Sequence, residues 1–154
     1  MTIGQLEKKF SKIDIRTVLA DSLKTLQPEL ANAQRLQMRS GLNREGKLIG
    51  RYRNAVYARK KHELNPIPGL GNVDLYLTGK MQSEIFVDVR SSGSIVFASA
   101  DNEPTDSGVG KFDSLVDKYG NKITGLSKDT IAVKITPLLS SQFIKSYKSE
   151  LRKL

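Results

Sequence analysis

Two alternating runs joined by a short turn, Glu84 to Arg90 and Ser94 to Ala100, constrain this chain more than any other feature. In the first, Ile85, Val87 and Val89 alternate with Phe86 and Asp88; the second continues with Ile95, Val96 and Phe97, and Ser91-Ser92-Gly93 lies between them. Alternation at a period of two separates side chains onto opposite faces of a strand, so the pair predicts a β-hairpin whose loop uses Gly93 at positive φ.

On either side the apolar period becomes helical. Ser11 is the expected cap of a helix in which Ile15, Leu19, Leu23 and Leu26 recur, with Asp14 in its first turn where the helix dipole favours an acid. Pro28 interrupts that pattern and suits the first position of a second helix, which runs through Leu36 to a left-handed stop at Gly41. Late in the chain, Phe112, Leu115, Val116 and Tyr119 form one helical face stopped by Gly120. Ser127 is expected to cap a short turn containing Asp129. Thr136-Pro137 then predicts a new cap, followed by a helix with the stripe Leu138, Phe143, Ile144, Tyr147 and Leu151. Lys145, Lys148, Arg152 and Lys153 place positive charge toward its C-terminal end. The expected class is α+β: N-terminal helices, a small antiparallel sheet containing the 84–100 hairpin, and a C-terminal helix.

The 154 residues suit one domain, 1–154, made of a helical segment 1–40, a basic segment with loop and hairpin at 41–110, and a helical segment 111–154. Residues 41–50 predict a turn and then a short extended piece. From Arg51 to His62, Tyr52, Val56 and Tyr57 fit one helical face, while the glycine-rich entry leaves strand or loop open. Asn65 to Gly71, with two prolines and two glycines, must be a loop. Residues 101–110 are expected to be an exposed, mobile loop able to order against a neighbour.

The residue inventory speaks against catalysis. The chain has no Cys and one His, which excludes disulfides, thiolate metal sites and cysteine nucleophiles, and His62 sits between Lys61 and Glu63 with the features of a solvated bystander. Asp101, Glu103 and Asp106 lack calcium-loop spacing, Gly69-Leu70-Gly71 lacks the third glycine of a dinucleotide fingerprint, and Thr78-Gly79-Lys80 is followed by Met81 where a P-loop needs Ser or Thr. The expectation is no enzyme, no cofactor and no metal. No apolar run is long enough to cross a bilayer and the first residues lack a signal peptide's pattern, so the protein is expected to stay in the cytoplasm where it is made.

Charge is the remaining signal. Lys and Arg number 25 against 16 Asp and Glu, a net +9, and the excess is segregated. Residues 35–62 carry nine basic and one acidic side chain (+8), residues 63–117 three and nine (−6), and residues 118–154 eight and two (+6). Opposed blocks in one small domain suit steering onto a polyanion or stacking against further copies. The basic block, interleaved with Tyr52 and Tyr57, is open to three readings: a solvated face, a polyanion-facing surface, or a surface paired with an acidic protein.

At Val73-Asp74-Leu75-Tyr76-Leu77-Thr78-Gly79-Lys80-Met81 the chain resembles the "L-x-x-T-G-x-(L/M/F)" element of tailed-bacteriophage virion morphogenesis proteins, the small tail-completion or head–tail joining proteins, where it leads into a β-hairpin. A second stretch, Tyr119 to Asp129, is similar to that family's late segment reaching "G-L-S", here Gly125-Leu126-Ser127, before a terminal helix. Gly46 to Tyr52, followed by Lys60 and Lys61, is similar to the lead-in of such proteins. The likeness spans roughly residues 41–152. It departs in Asn121-Lys122-Ile123-Thr124, where the family has Arg-Pro-Phe, and in Ser83-Glu84 after "T-G".

The resemblance implies a structural virion protein, assembled in the host cytoplasm: a ring-forming homo-oligomeric subunit of the head–tail connector or tail-completion complex, adjoining portal, connector or tail proteins. Arg51, Arg53, Arg59, Lys60 and Lys61 are then the candidate residues facing an acidic subunit or, without sequence reading, DNA in a channel. Thr78, Gly79, Gly125 and Ser127 are the candidate structural motif. The alternative function is a basic nucleic-acid-binding accessory protein.

Overall fold

A computed structural model describes residues 2–76, 79–101 and 110–153. The interior of the expected loop at 101–110 lies outside the described residues, as does Thr78. The architecture is α+β. In order come α1 (Ile3–Phe10), α2 (Ile15–Thr25), α3 (Gln27–Arg39), α4 (Ala55–Leu64), a single turn α5 (Lys80–Ser83), the hairpin β1 (Ile85–Val89) and β2 (Ile95–Ser99), and α6 (Lys111–Tyr119). A 3-10 turn (Asn121–Ile123), a short α7 (Lys128–Thr130), a π turn (Ile131–Ile135) and α8 (Thr136–Lys153) complete the chain.

The hairpin forms where alternation predicts it. Ile85, Val87 and Val89 are buried while Phe86 and Asp88 face outward, and Val87 stands opposite Phe97 in an antiparallel register. Two strands alone are marginal in water, so the sheet depends on what covers its apolar face. That cover is α3, packed against β1, with α2 beside it. Leu23, Leu30, Met38, Met81, Ile85, Val87 and Ile123 form one buried cluster between these elements. Full burial of each such side chain contributes about 1.5–3 kcal/mol.

Polar groups of α3 fasten the remaining elements. Arg35 donates from Nε to the Gln82 carbonyl (2.8 Å) and from Nη2 to the carbonyls of Ser83 (3.2 Å) and Ile85 (2.8 Å). The Gln82 and Ser83 carbonyls end α5 and the Ile85 carbonyl opens β1, so one guanidinium spans the junction of helix and strand. From the preceding position, Gln34 Nε2 donates to the Ile123 carbonyl (3.0 Å), and its Oε1 accepts the Gly125 N–H (2.9 Å). Gln37 repeats the clamp: Nε2 donates to the Gly125 carbonyl (2.9 Å), and Oε1 accepts from Ser127 N (2.8 Å) and Thr130 Oγ1 (3.1 Å). Both glutamines are buried, and their i, i+3 spacing puts them on one helix face.

Three expectations need correcting. Ser11 does not cap α2; it ends α1, whose own start is a capping box between Thr2 and Gln5. Asp14 takes the capping role instead, accepting from Arg16 N (3.0 Å) and Thr17 Oγ1 (2.8 Å), because its carboxylate reaches the free N–H groups of the first turn.

Thr136 is likewise no cap. Its backbone is helical, its N–H bonds the Ile131 carbonyl five residues back, and its hydroxyl donates to the same oxygen at 3.1 Å. Pro137 has no N–H for the Val133 carbonyl and its ring crowds that position. The widened π turn just before it makes room, so the helix continues instead of restarting. The third correction concerns the same helix. Of the expected stripe, Phe143, Tyr147 and Leu151 are partly buried, but Leu138 and Ile144 are 44% and 52% exposed and Leu139 is partly buried in their stead, on a helix that packs against α2.

The other helix limits agree with expectation: Pro28 lies in the first turn of α3, Gly120 follows α6, and Ser127 caps α7. Gly41 is a stereochemical necessity. It has φ +72°, and a Cβ there would sit 2.6 Å from the Val73 carbonyl oxygen and 2.9 Å from Pro68 Cβ.

The glutamine clamp predicts that Gln37→Leu, which fills similar space but leaves the Gly125 carbonyl and the Ser127 N–H without partners, costs about 2–4 kcal/mol of unfolding free energy in urea titrations. Asn32→Ala, on the exposed side of the same helix, is expected to change stability by no more than about 0.5 kcal/mol.

Candidate nucleic-acid interface

The basic block folds partly as helix and partly as an extended edge. Asn54 caps α4 through Oδ1, which accepts from Val56 N (2.9 Å) and Tyr57 N (3.0 Å). Just before it, residues 50–52 run antiparallel to 71–73, with Tyr52 N on the Gly71 carbonyl (2.8 Å) and Val73 N on the Gly50 carbonyl (3.0 Å). This pairing brings Tyr52 against Asp74.

Asp74 is 1% exposed and organises a buried polar cluster. Its Oδ1 accepts from Lys61 Nζ (2.8 Å), Tyr52 Oη (3.0 Å) and Tyr76 N (3.1 Å), and its Oδ2 accepts from Asn65 Nδ2 (2.9 Å). Asn65 Nδ2 also donates to the Arg39 carbonyl (2.8 Å), which ties the loop after α4 to the end of α3. Burial, then the charge of Asp74 and the hydrogen bond to it, raise the Tyr52 phenol far above its ordinary range, so it stays protonated and donating.

This cluster changes the reading of one candidate. Lys61 does not face a partner: its side chain is 5% exposed and paired with Asp74, because an unpaired ammonium at that depth would be costly. Arg51, Arg53, Arg59 and Lys60 are exposed. Arg51 and Arg53 stand between two depressions. The larger, a groove of about 750 Å³, has Arg51, Arg53, Lys111 and Lys118 among its lining residues, with Val73, Leu75 and Leu115 below. Four tyrosines, Tyr52, Tyr57, Tyr76 and Tyr119, complete its wall. Tyr52 and Tyr57 meet edge to face at 5.1 Å between centroids, and Lys118 Nζ lies 5.2 Å from the Tyr119 ring centre.

Two smaller depressions extend this groove. One, about 290 Å³, shares Arg51, Tyr52 and Arg53 with it and reaches Arg59; the other, about 530 Å³, shares Tyr76 and reaches Arg35, Arg39 and Lys80. No acidic side chain occurs among the described residues lining any of the three. Lys60 lies outside that lining set.

The motif residues serve the scaffold. Gly79, at φ +80°, starts α5 with its Cα close under the Tyr76 ring; an added Cβ would lie 3.1 Å from it. Gly125 and Ser127 are held by the glutamine clamp. Among the described residues no group of three His, Asp or Glu side chains is placed to hold a metal ion, and no helix is long and apolar enough to cross a membrane.

Lys111, Lys118, Tyr76 and Tyr119 were not singled out by sequence for this surface. Lys111 falls inside a segment of net −6, so block charge hides it. The usable signal was local: Lys111 and Lys118 are seven residues apart, on one face of α6. Comparison with protein-family models, with curated proteins and with solved structures gives no match to this chain.

Removal of Asp74 as Asp74→Leu strands the Lys61 charge and is expected to cost about 3–5 kcal/mol, part of which returns when Lys61→Met is added; urea unfolding of the single and double variants measures both. Because the folded Tyr52 pKa is raised, its contribution to stability is complete below the ordinary phenol value of 10.0 and is lost as pH rises above it. Unfolding free energy should therefore fall above that pH, and fall less steeply in Tyr52→Phe.

Proposed function

We propose that this chain is a structural subunit of a tailed-phage particle, forming homo-oligomeric rings in the head–tail connector or tail-completion complex next to portal or tail proteins. One observation carries the reading: the chain presents two unlike surfaces that share no residue. One is the basic, tyrosine-lined groove. The other is the layer of α1, α2 and α8, which leaves Ile3, Ile15, Leu19, Leu138 and Ile144 exposed. Rings closed by rotation need a patch on one face that meets a different patch on the next copy. Exposed apolar side chains of this kind are what subunit contacts bury.

The phage-like elements support the same reading, since Gly79, Gly125 and Ser127 serve the scaffold. Particle subunits need a rigid shape more than a reaction centre. In this proposal Arg51, Arg53, Arg59 and Lys60 face either a neighbour's acidic segment or genomic DNA, and the protein resides in the virion. The groove also favours the second reading, a nucleic-acid-binding accessory protein that works without a ring.

Native mass measurement and negative-stain microscopy of the purified chain, alone and with portal and tail partners, test the leading reading. Regular rings are expected that loosen between ~0.1 and ~1 M salt, where the screening length falls from ~10 Å to ~3 Å. A chain that stays monomeric in every mixture overturns it.

A further inference from the structure

We propose that the groove between α4 and α6 binds single-stranded nucleic acid without reading its sequence, phosphates on the rim cations and bases against the tyrosine-lined floor. The cross-section is amphipathic. Arg51, Arg53 and Lys118 on the rim are exposed, whereas the rings of Tyr52, Tyr76 and Tyr119 and the side chains of Leu75 and Leu115 are half-buried below them. A ligand that uses both levels carries regularly spaced negative charge on one edge and flat apolar faces on the other. An unpaired nucleic-acid strand has that form.

The competing polyanions use only part of the site. A duplex keeps its base faces stacked inside and offers phosphates on a convex surface, which leaves a recessed aromatic floor empty. An acidic peptide satisfies the rim cations but has no repeating flat face for four tyrosines. The two flanking depressions continue the described cationic lining past Tyr76 toward Arg39 and past Arg53 toward Arg59, so the track suits a polymer rather than one nucleotide.

Sequence independence follows from the same inventory. Among the described lining residues of the groove, Asn54 is the one side-chain amide, and its oxygen is already engaged in capping α4. With that oxygen engaged, Asn54 is not free to make the bidentate pair by which a carboxamide reads adenine.

The floor is also where the backbone is strained. Leu75 has φ +52°, the one positive value at a non-glycine among the described residues. Left-handed backbone at a leucine persists only where its surroundings over-determine it, and such residues concentrate at binding sites. Here it lets Asp74 turn inward to Lys61 while the next ring, Tyr76, lines the groove.

The inference does not require ring assembly, and its test is separate. Fluorescence anisotropy of the full chain would be measured with labelled oligo-dT and oligo-dA of about 16 nucleotides, a duplex of equal length, and a polyglutamate competitor of matched charge. Expected are similar affinities for the two single strands, weaker duplex binding, and poor competition by polyglutamate. Tyr57→Ala should lose about tenfold in affinity, and Lys118→Ala should flatten the log–log salt slope by about 0.7. Unchanged circular dichroism and melting temperature identify variants that fold, and Lys118, exposed on α6, provides a second probe should Tyr57→Ala disturb its contact with Tyr52. Equal or tighter duplex binding, displacement by polyglutamate as effective as by DNA, or folded variants that bind like the parent would each overturn the proposal. Rings without strand binding would reject this inference alone; strand binding by a permanent monomer would reject the ring reading alone.

Discussion

The carboxamides of Gln34 and Gln37 set the limits within which the rest of this fold can vary. They pair with backbone from Ile123 to Ser127 much as a neighbouring strand would, but from a helix. The segment they hold is the only covalent path between α6 and α8, so this contact fixes where the C-terminal helix begins. The same helix carries Arg35 beneath the hairpin and Met38 in the core. α3 thus combines an apolar role toward the sheet with a polar role toward the chain's last third. Buried amides are tolerable because the oxygen and the nitrogen of each have a partner; one left without would cost more than an apolar face.

Much of this was legible locally. The hairpin, the loop at Asn65 to Gly71, and the helix limits at Pro28, Gly41, Gly120 and Ser127 follow from alternation and backbone chemistry within a few residues. Less legible was anything that depended on a competing cap. Thr2 with Gln5 outcompetes nothing distant, yet α1 went unread because its apolar residues are few; Ser11 then looked like a start when it is an end. The π turn was harder still. It joins α7 to α8 without a break, so Thr136-Pro137, which has the local chemistry of a helix start, lies inside a continuous helix.

The candidate surface shows a similar division. Counting charge in blocks located the region but not its members, because sign is averaged along the chain whereas a groove is assembled across it. Lys61 lies in the densest basic stretch and is turned inward; Lys111 lies in an acidic stretch and lines the groove. Arg35 and Arg39 are also partly committed within the fold, one to carbonyl oxygens and the other to the Tyr76 ring at 5.1 Å. The fraction of a net charge that a partner can feel is what remains after such internal uses.

The pairing of Lys61 with Asp74 bears on how the groove behaves at a distance. A lone aspartate behind that wall would cancel much of the field from Arg51, Arg53 and Lys118. Matched at 2.8 Å by an ammonium, it acts instead as a short dipole, whose potential decays faster with distance than that of a single charge. An approaching polyanion therefore senses the exposed cations almost as though no carboxylate were present. The ion pair is invisible on the surface, yet it leaves the described lining of the groove with one sign of charge facing outward.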